Sequence, residues 1–493
     1  MAKSIMLQGT MSNVGKSFLT AALCRIFRQD GYRVAPFKSQ NMALNSYITP
    51  EGDEIGRAQA LQAEAAGIEP SALMNPVLLK PTTDVGSQVI VNGRVMGNMR
   101  AAEYFRRKKE LIPHIMKAYD TLAAENDIIV IEGAGSPVEL NLKADDIVNM
   151  GLAKLTSSPV LLVGDIDRGG VFAQLIGTLS LLEPDEQEMV KGLIVNRFRG
   201  DISLFSDGIS ILEERSGKSV AGVVPYIYAD IEDEDSLSDK LSAESAPGLI
   251  DIAVIRLPKI SNYTDVDVFR QYEGVALRFV KSAAALGRPD MVIIPGTKST
   301  VSDMEWLRQS GLAERIKALA AEGVLVFGIC GGYQIMGSMI SDPYNCESGG
   351  STAGLGLLKG ETVFTQDKKQ TRTSGRFCDI HGIFSCLSGL PFTGYEIHMG
   401  RTEDCGEPLT DCGGSFSGNC AGCYVHGIFD SAEVSGKLVK NLFERKGLAF
   451  TGMSVSRREY REKQLDILAS AVRESLDMEM IYRIVFDGVI PER

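Results

Sequence analysis

Val324-Leu325-Val326-Phe327-Gly328-Ile329-Cys330-Gly331-Gly332-Tyr333-Gln334-Ile335-Met336-Gly337 carries the decisive pattern of this chain. An apolar, β-branched run ends at a thiol, passes two glycines and enters a helical pattern. That order predicts a strand, a sharp turn and a helix, with Cys330 on the turn. Flanking glycines allow the strained bend of a nucleophile elbow. The start of a helix just after the sulfur favours thiolate over thiol. Cys330 is therefore the first candidate catalytic residue.

Working outward, the region around this stretch reads as an α/β unit. It starts at Asp251-Ile252-Ala253-Val254-Ile255, with further strands at 291–294, 324–327 and 422–425. Residues 345–375 and 403–420 are rich in Gly, Ser, Thr and Cys and read as loops with short strands. The first half alternates differently placed strands and helices: strands at 4–8, 33–37, 127–132, 160–163, 192–195 and 221–225, with helical stretches at 16–30, 56–66, 101–124 and 171–182. Such alternation, with nearly continuous apolar strands, predicts a parallel sheet covered on both faces. Between the halves, 231–250 is acidic and rich in Ser, Ala, Pro and Gly, the composition of a linker. The expected division is 1–230, a linker at 231–250, 251–446, and a charged helical extension over 447–493.

The chain has 493 residues, enough for about three domains or two large ones. Hydrophobic content of 44% and charged content of 23% are ordinary for a globular protein. A net charge of −12 argues against nonspecific nucleic-acid binding, which needs phosphate neutralisation. No apolar run is long enough for a membrane span, and Met1-Ala2-Lys3-Ser4-Ile5 leads straight into a strand rather than a signal peptide. A cytoplasmic protein is expected. Cys420-Ala421-Gly422-Cys423 has CxxC spacing but lacks a second, matching pair, so the nine cysteines read as reduced thiols.

The first strand runs into Gly9-Thr10-Met11-Ser12-Asn13-Val14-Gly15-Lys16-Ser17 and then a helix. Glycines let backbone N–H groups face phosphate oxygens, Lys16 adds a point charge and Ser17 can ligate Mg²⁺. The spacing is one residue longer than in the common phosphate-binding loop. Gly9, Thr10, Asn13, Val14, Gly15, Lys16 and Ser17 are the expected nucleotide ligands. Glu132 ends an apolar strand and is the companion carboxylate for a metal beside Ser17. Asp165 and Asp167 are weaker metal candidates; Arg168 suits a carboxylate or phosphate. Asn196, in Asn196-Arg197-Phe198-Arg199, is placed to read a base or hold an anionic substrate.

A thiol nucleophile needs a base. The chain has four histidines. His114 and His381 lack a supporting context. His426 follows Cys423-Tyr424-Val425 at a strand end, like Cys330; His398, in Gly394-Tyr395-Glu396-Ile397-His398, is its rival. His426 is the favoured base.

These segments, with Lys38-Ser39-Gln40-Asn41-Met42, Glu132-Gly133-Ala134-Gly135-Ser136-Pro137, Gly164-Asp165-Ile166-Asp167-Arg168-Gly169-Gly170 and Pro295-Gly296-Thr297-Lys298-Ser299-Thr300, resemble the cobyric acid synthase family, glutamine-hydrolysing amidotransferases of cobalamin synthesis. The first half is similar to the dethiobiotin-synthetase-type ATP-binding fold and the second to class I glutamine amidotransferases. The resemblance implies ATP and Mg²⁺ as cofactors, glutamine and a corrinoid as substrates, Cys330 as nucleophile and His426 as its base. It implies amidation of the b, d, e and g carboxylates of adenosylcobyrinic acid a,c-diamide through acyl phosphates; oligomeric state is left open. Many class I members place a carboxylate two residues after the histidine, but here that residue is Ile428. Asp430, Glu396, a backbone carbonyl or a simple dyad remain as alternatives for the orienting group. Two other readings stay open. One is the sister enzyme that amidates cobyrinic acid at a and c, which the 38–42 segment disfavours. The other is a partner-switching ATPase, which would leave Cys330 and His426 without a role.

Overall fold

The computed structural model describes residues 2–83, 86–231, 248–347, 349–403, 405–452 and 457–489. Most of the expected 231–250 linker lies outside the described residues. Two large sheets organise the rest.

The first has six strands: β1 (Lys3–Gly9), β2 (Val34–Phe37), β3 (Ile128–Glu132), β4 (Val160–Asp165), β5 (Val190–Phe198) and β6 (Val220–Pro225). Their order is β6-β5-β4-β1-β3-β2, and every pair is parallel. β1, β3 and β4 are almost wholly buried, as continuous apolar runs in a doubly covered sheet must be. The helix Lys16–Gln29 follows β1 directly and sinks Leu19, Leu23, Ile26 and Phe27 onto the sheet. The sequence places the strands within a few residues of their observed ends. The helix expected over 101–124 is instead two helices, Ala101–Arg107 and Ile112–Glu125, joined by a 3₁₀ turn at Lys108–Leu111. Pro113 enters the first turn of the later helix, where its missing N–H costs nothing.

The second sheet comprises β7 (Ile250–Ile255), β8 (Val275–Val280), β9 (Met291–Ile294), β10 (Leu325–Ile329), β11 (Glu407–Thr410), β12 (Gly413–Ser417) and β13 (Cys420–Cys423). The order is β8-β7-β9-β10-β13-β12-β11. It is parallel through β13 and antiparallel across the last two strands. β9, β10 and β13 lie side by side, so the loops at their C-terminal ends gather at one edge, where ligands collect in such sheets.

One expectation fails. The region read as loops with short strands, 345–375, holds one long strand: Glu361–Arg376, paired antiparallel with Pro391–Glu403. Beyond Phe364 its side chains are polar on the covered face as well as the exposed one, so no apolar alternation marks it. This long hairpin reaches the first domain. Gln370 Nε2 donates to the Gly52 carbonyl (2.8 Å), and Arg372 Nε donates to that of Ile48 (3.2 Å).

The charged C-terminal segment forms helices Arg457–Ser475 and Met478–Asp487. They return to the first domain: Leu465, Leu468, Val472 and Ile481 share one core with Ile5, Leu7, Leu19 and Leu23. Arg25 pairs with Asp466 (2.8 Å), and the Asp477 N–H donates to the Ala221 carbonyl (2.8 Å).

Candidate active site

Cys330 sits at the end of β10 with φ 51° and ψ −109°, the strained geometry expected of an elbow. Its N–H is held by the Cys423 carbonyl at 2.8 Å, and the helix Gly331–Met336 starts at the next residue. Both glycines are required. A methyl group on Gly332 would lie 1.9 Å from the Ile294 carbonyl oxygen, and one on Gly331 would lie 2.9 Å from the Thr297 nitrogen. The turn is thereby pressed against Pro295-Gly296-Thr297, and the Cys330 thiol itself faces the Ile397 carbonyl at 3.7 Å.

His426 is 1% exposed. Its Nδ1 lies 2.6 Å from Asp265 Oδ2, while Asp265 Oδ1 accepts from the Gly427 N–H at 3.0 Å. One carboxylate thus holds the ring and the backbone that follows it. Burial opposes a charge on the ring, but Asp265 and Cys330 outweigh burial and raise its pKa to about 10. A proton leaving the sulfur would therefore find a strong acceptor. Asn262 Nδ2 is 3.4 Å from His426 Nε2, and Tyr395 stacks on the ring at 5.2 Å and 21°. Cys330, Asn262, Thr297, Lys298, Glu347 and His426 surround a cavity of about 30 Å³.

The nucleotide loop closes a far larger cavity, about 770 Å³, bordered by Gly15, Lys16, Ser17, Glu132 and Asn196. Gly15 takes φ 94° just before the helix. Lys16 Nζ rests on the carbonyls of Met11 (3.1 Å) and Gly135 (3.3 Å). Asn196 Nδ2 donates to the Val14 carbonyl at 2.7 Å, so it braces the loop itself. Glu132, 1% exposed, accepts from Ser17 Oγ (2.8 Å), Lys38 Nζ (2.8 Å) and Gln62 Nε2 (2.6 Å).

Residues 251–434 match the CobB/CobQ-like glutamine amidotransferase domain, and residues 5–237 match the CobQ/CobB/MinD/ParA nucleotide binding domain. Over 506 residues the chain is 53% identical to the cobyric acid synthase of Ruminiclostridium cellulolyticum, covering 99% of this chain and 98% of that protein. It is 52% identical over 514 residues to that of Lachnoclostridium phytofermentans (99% and 100% covered). It is 49% identical over 503 residues to that of Yersinia enterocolitica (98% of both). The chain belongs to the cobyric acid synthase family. As a member of that family it is a glutamine-hydrolysing amidotransferase, a carbon–nitrogen ligase.

Against this family background, the alternatives for the third residue resolve geometrically. Asp430 is taken by Arg457, and Glu396 by His398 Nε2 (3.1 Å) and Lys369 (2.7 Å). Asp265, in the 3₁₀ segment Tyr263–Gln271, occupies the orienting position. Sequence reasoning missed it, because it lies 161 residues from His426 in an unmarked stretch. His398, the rival base, stacks on Tyr424 at 3.8 Å and spends Nδ1 on the Gly400 carbonyl (2.8 Å). His114 and His381 are exposed.

The remaining candidates are engaged elsewhere. Asp165 pairs with Arg197 (3.1 Å) and Asp167 with Arg199 (2.6 Å), whereas Arg168 lines the large cavity. Cys420 and Cys423 are unpaired on one strand, where residues three apart face opposite sides. Burial pushes their thiols up to about 11 and about 12. Among the described residues no group of three or more His, Cys, Asp or Glu could hold a metal. No helix among them is long and apolar enough to cross a membrane.

At the wall of the thiol cavity the two domains share a buried ion cluster. Glu54 and Lys80 come from the first domain and Lys368 from the long hairpin; Glu54 binds Lys80 (2.7 Å) and Lys368 (2.5 Å). Burial opposes ionisation of Glu54, but the two lysines prevail and hold it below the usual carboxylate range.

Proposed function

We propose that the enzyme amidates the b, d, e and g side-chain carboxylates of adenosylcobyrinic acid a,c-diamide in the cytoplasm, using ATP and glutamine. The observation that carries this reading is the pairing, in one chain similar along its whole length to cobyric acid synthases, of a thiol–imidazole–carboxylate site with a nucleotide-loop cavity of about 770 Å³. The second site's size suits a nucleotide and a large acceptor together. Beyond the loop its wall carries Met42, Phe105 and Leu142 beside Lys108, apolar surface with a cation, a fit for a broad ring bearing carboxylates. The functional division is 1–230 for synthesis and 251–446 for glutamine hydrolysis, with 447–493 as the extension.

In the thiol site, Cys330 gives its proton to His426 Nε2 and attacks the glutamine carboxamide carbon. Backbone N–H groups at Gly331 and Thr297 stabilise the oxyanion. The ring then protonates the departing nitrogen, ammonia leaves, and water hydrolyses the thioester to glutamate, restoring the thiol. Asp265 holds Nδ1–H, orients the ring and stabilises the imidazolium that takes the thiol proton.

In the other site a carboxylate oxygen of the acceptor attacks the γ-phosphorus of ATP, ADP leaves, and ammonia displaces phosphate from the acyl phosphate. Lys16 balances charge on the transferred group. Magnesium fits here: Ser17 Oγ and Glu132 Oε1 are hard oxygens 2.8 Å apart at the loop, and one carboxylate plus phosphates is its usual protein share. When bound it would neutralise phosphate charge, with Lys38 holding the Glu132 carboxylate in place.

Incubation with each corrinoid, glutamine and MgATP followed by mass spectrometry tests the reading. Four amides on the a,c-diamide are expected; turnover of cobyrinic acid at a and c alone would overturn it. Cys330→Ala should abolish glutamate release while ammonia still supports amidation.

A further inference from the structure

Between the two sites runs one short piece of the first domain. Gln40, Asn41 and Met42 line the large cavity, and the strand they form pairs with Val77–Thr83. Three residues later the same segment enters the other domain. The Asn262 N–H donates to Asn45 Oδ1 at 2.8 Å, and the Ser46 N–H donates to Asn262 Oδ1 at 3.0 Å. Tyr395 Oη donates to the Ser46 carbonyl at 3.1 Å. Asn45, Ser46 and Asn262 are buried, and Asn262 is held at φ 50°, a conformation tolerated by asparagine but not preferred.

Both residues gripped by this segment touch the catalytic ring. Because the Asn262 carbonyl oxygen is fixed on Ser46, its Nδ2 must face His426 Nε2. That contact on Nε2, with the Asp265 carboxylate on Nδ1, fixes where the ring stands beside Cys330. Tyr395 covers the face of the same ring. The far end of the segment is tied to the nucleotide side: Ser46–Ile48 pairs with Glu54–Gly56, which opens the helix Arg57–Ala66, and Gln62 on that helix donates to Glu132.

We propose that residues 40–48 position His426 from the synthesis domain, with Asn45 and Asn262 as positioning residues, so that glutamine hydrolysis responds to occupancy of the large cavity. The inference rests on the two-site reading above. Through these contacts a movement of the segment by up to about 1 Å changes the ring's approach to sulfur. Misplacement on that scale costs about 10- to 100-fold in rate.

The test measures glutamate release by the full-length protein, with and without MgATP and the corrinoid acceptor. Wild type is expected to speed up severalfold when both are present. Asn45→Ala should lower kcat about 10- to 100-fold, with little change in the KM for glutamine, and lose the response. Asn45→Asp, which keeps an oxygen acceptor for the Asn262 N–H, should recover most of both. Ammonia-dependent amidation should be unchanged in either variant. Wild-type kcat and response in Asn45→Ala would overturn the proposal, as would equal impairment of the two variants or a wild type indifferent to MgATP and acceptor. Failure of the two-site reading shows separately, as no amide from ammonia in the wild type.

Discussion

Replacing Asp265 by asparagine changes one atom and should disable glutamine hydrolysis. The carboxylate serves two donors: the Gly427 N–H at 3.0 Å on Oδ1 and the ring Nδ1 at 2.6 Å on Oδ2. An amide has one acceptor. The backbone N–H cannot become an acceptor, so the amide oxygen stays with Gly427 and the NH₂ turns to the ring. The ring must then put its proton on Nε2, facing Cys330, and can no longer act as a base. A wrong-tautomer defect of this kind costs about 10⁴-fold in serine proteases, and about 10²- to 10⁴-fold is expected here. Stability gives a second readout. His426 has its pKa raised from 6.5 to about 10, so the stabilisation is fully present below pH 6.5 and is lost as pH rises through 10. At about 1.4 kcal/mol per pH unit the ceiling is roughly 5 kcal/mol, shared between Asp265 and Cys330. Asp265→Asn should therefore unfold more easily than wild type in denaturant at pH 6, with the gap narrowing towards pH 10. Initial rates of glutamate release, with ammonia-dependent amidation as the folding control, decide the matter. Release within threefold of wild type, or a stability gap that widens with pH, would refute the reasoning.

Two more substitutions address the other parts. Glu132→Gln leaves Lys38 buried beside a neutral partner and removes the carboxylate from Ser17; ATP-dependent amidation with ammonia should fall by at least about 10²-fold, while glutamate release without nucleotide persists. Gly332→Ala drives a methyl group into the Ile294 carbonyl at 1.9 Å, backbone against backbone, so the elbow must open; thermal unfolding should show a loss of about 3 kcal/mol or more, and an unshifted midpoint would contradict the packing.

What the sequence disclosed was local. The thiol turn and nucleotide loop each fit within about a dozen consecutive residues, where glycine positions dictate backbone shape and the chemistry follows. His426 was legible because a strand end and a thiol elbow point to the same sheet edge. Asp265 was not, because its role exists only after the segment that follows β7 folds against the loop that follows β13. No periodicity marks a carboxylate in a 3₁₀ turn. The Glu361–Arg376 strand hid for another reason: polar residues on both faces remove the alternation by which strands are recognised. The grip of Asn45 on Asn262 was equally hidden, since two asparagines 217 residues apart carry no joint signal.

The C-terminal helices have a bearing on how the protein is born. Translation delivers the first sheet long before Arg457–Asp487, yet those last helices supply part of the cover for the helix Lys16–Gln29. The domain made first is therefore finished last. Until the ribosome releases the final turns, Leu19, Leu23 and their neighbours lack Leu465, Leu468 and Val472 on one side, an apolar surface on a nascent chain. A premature stop between the glutamine-hydrolysing domain and Leu465 would leave that surface permanently bare, so such nonsense mutations should yield insoluble protein rather than a shortened enzyme.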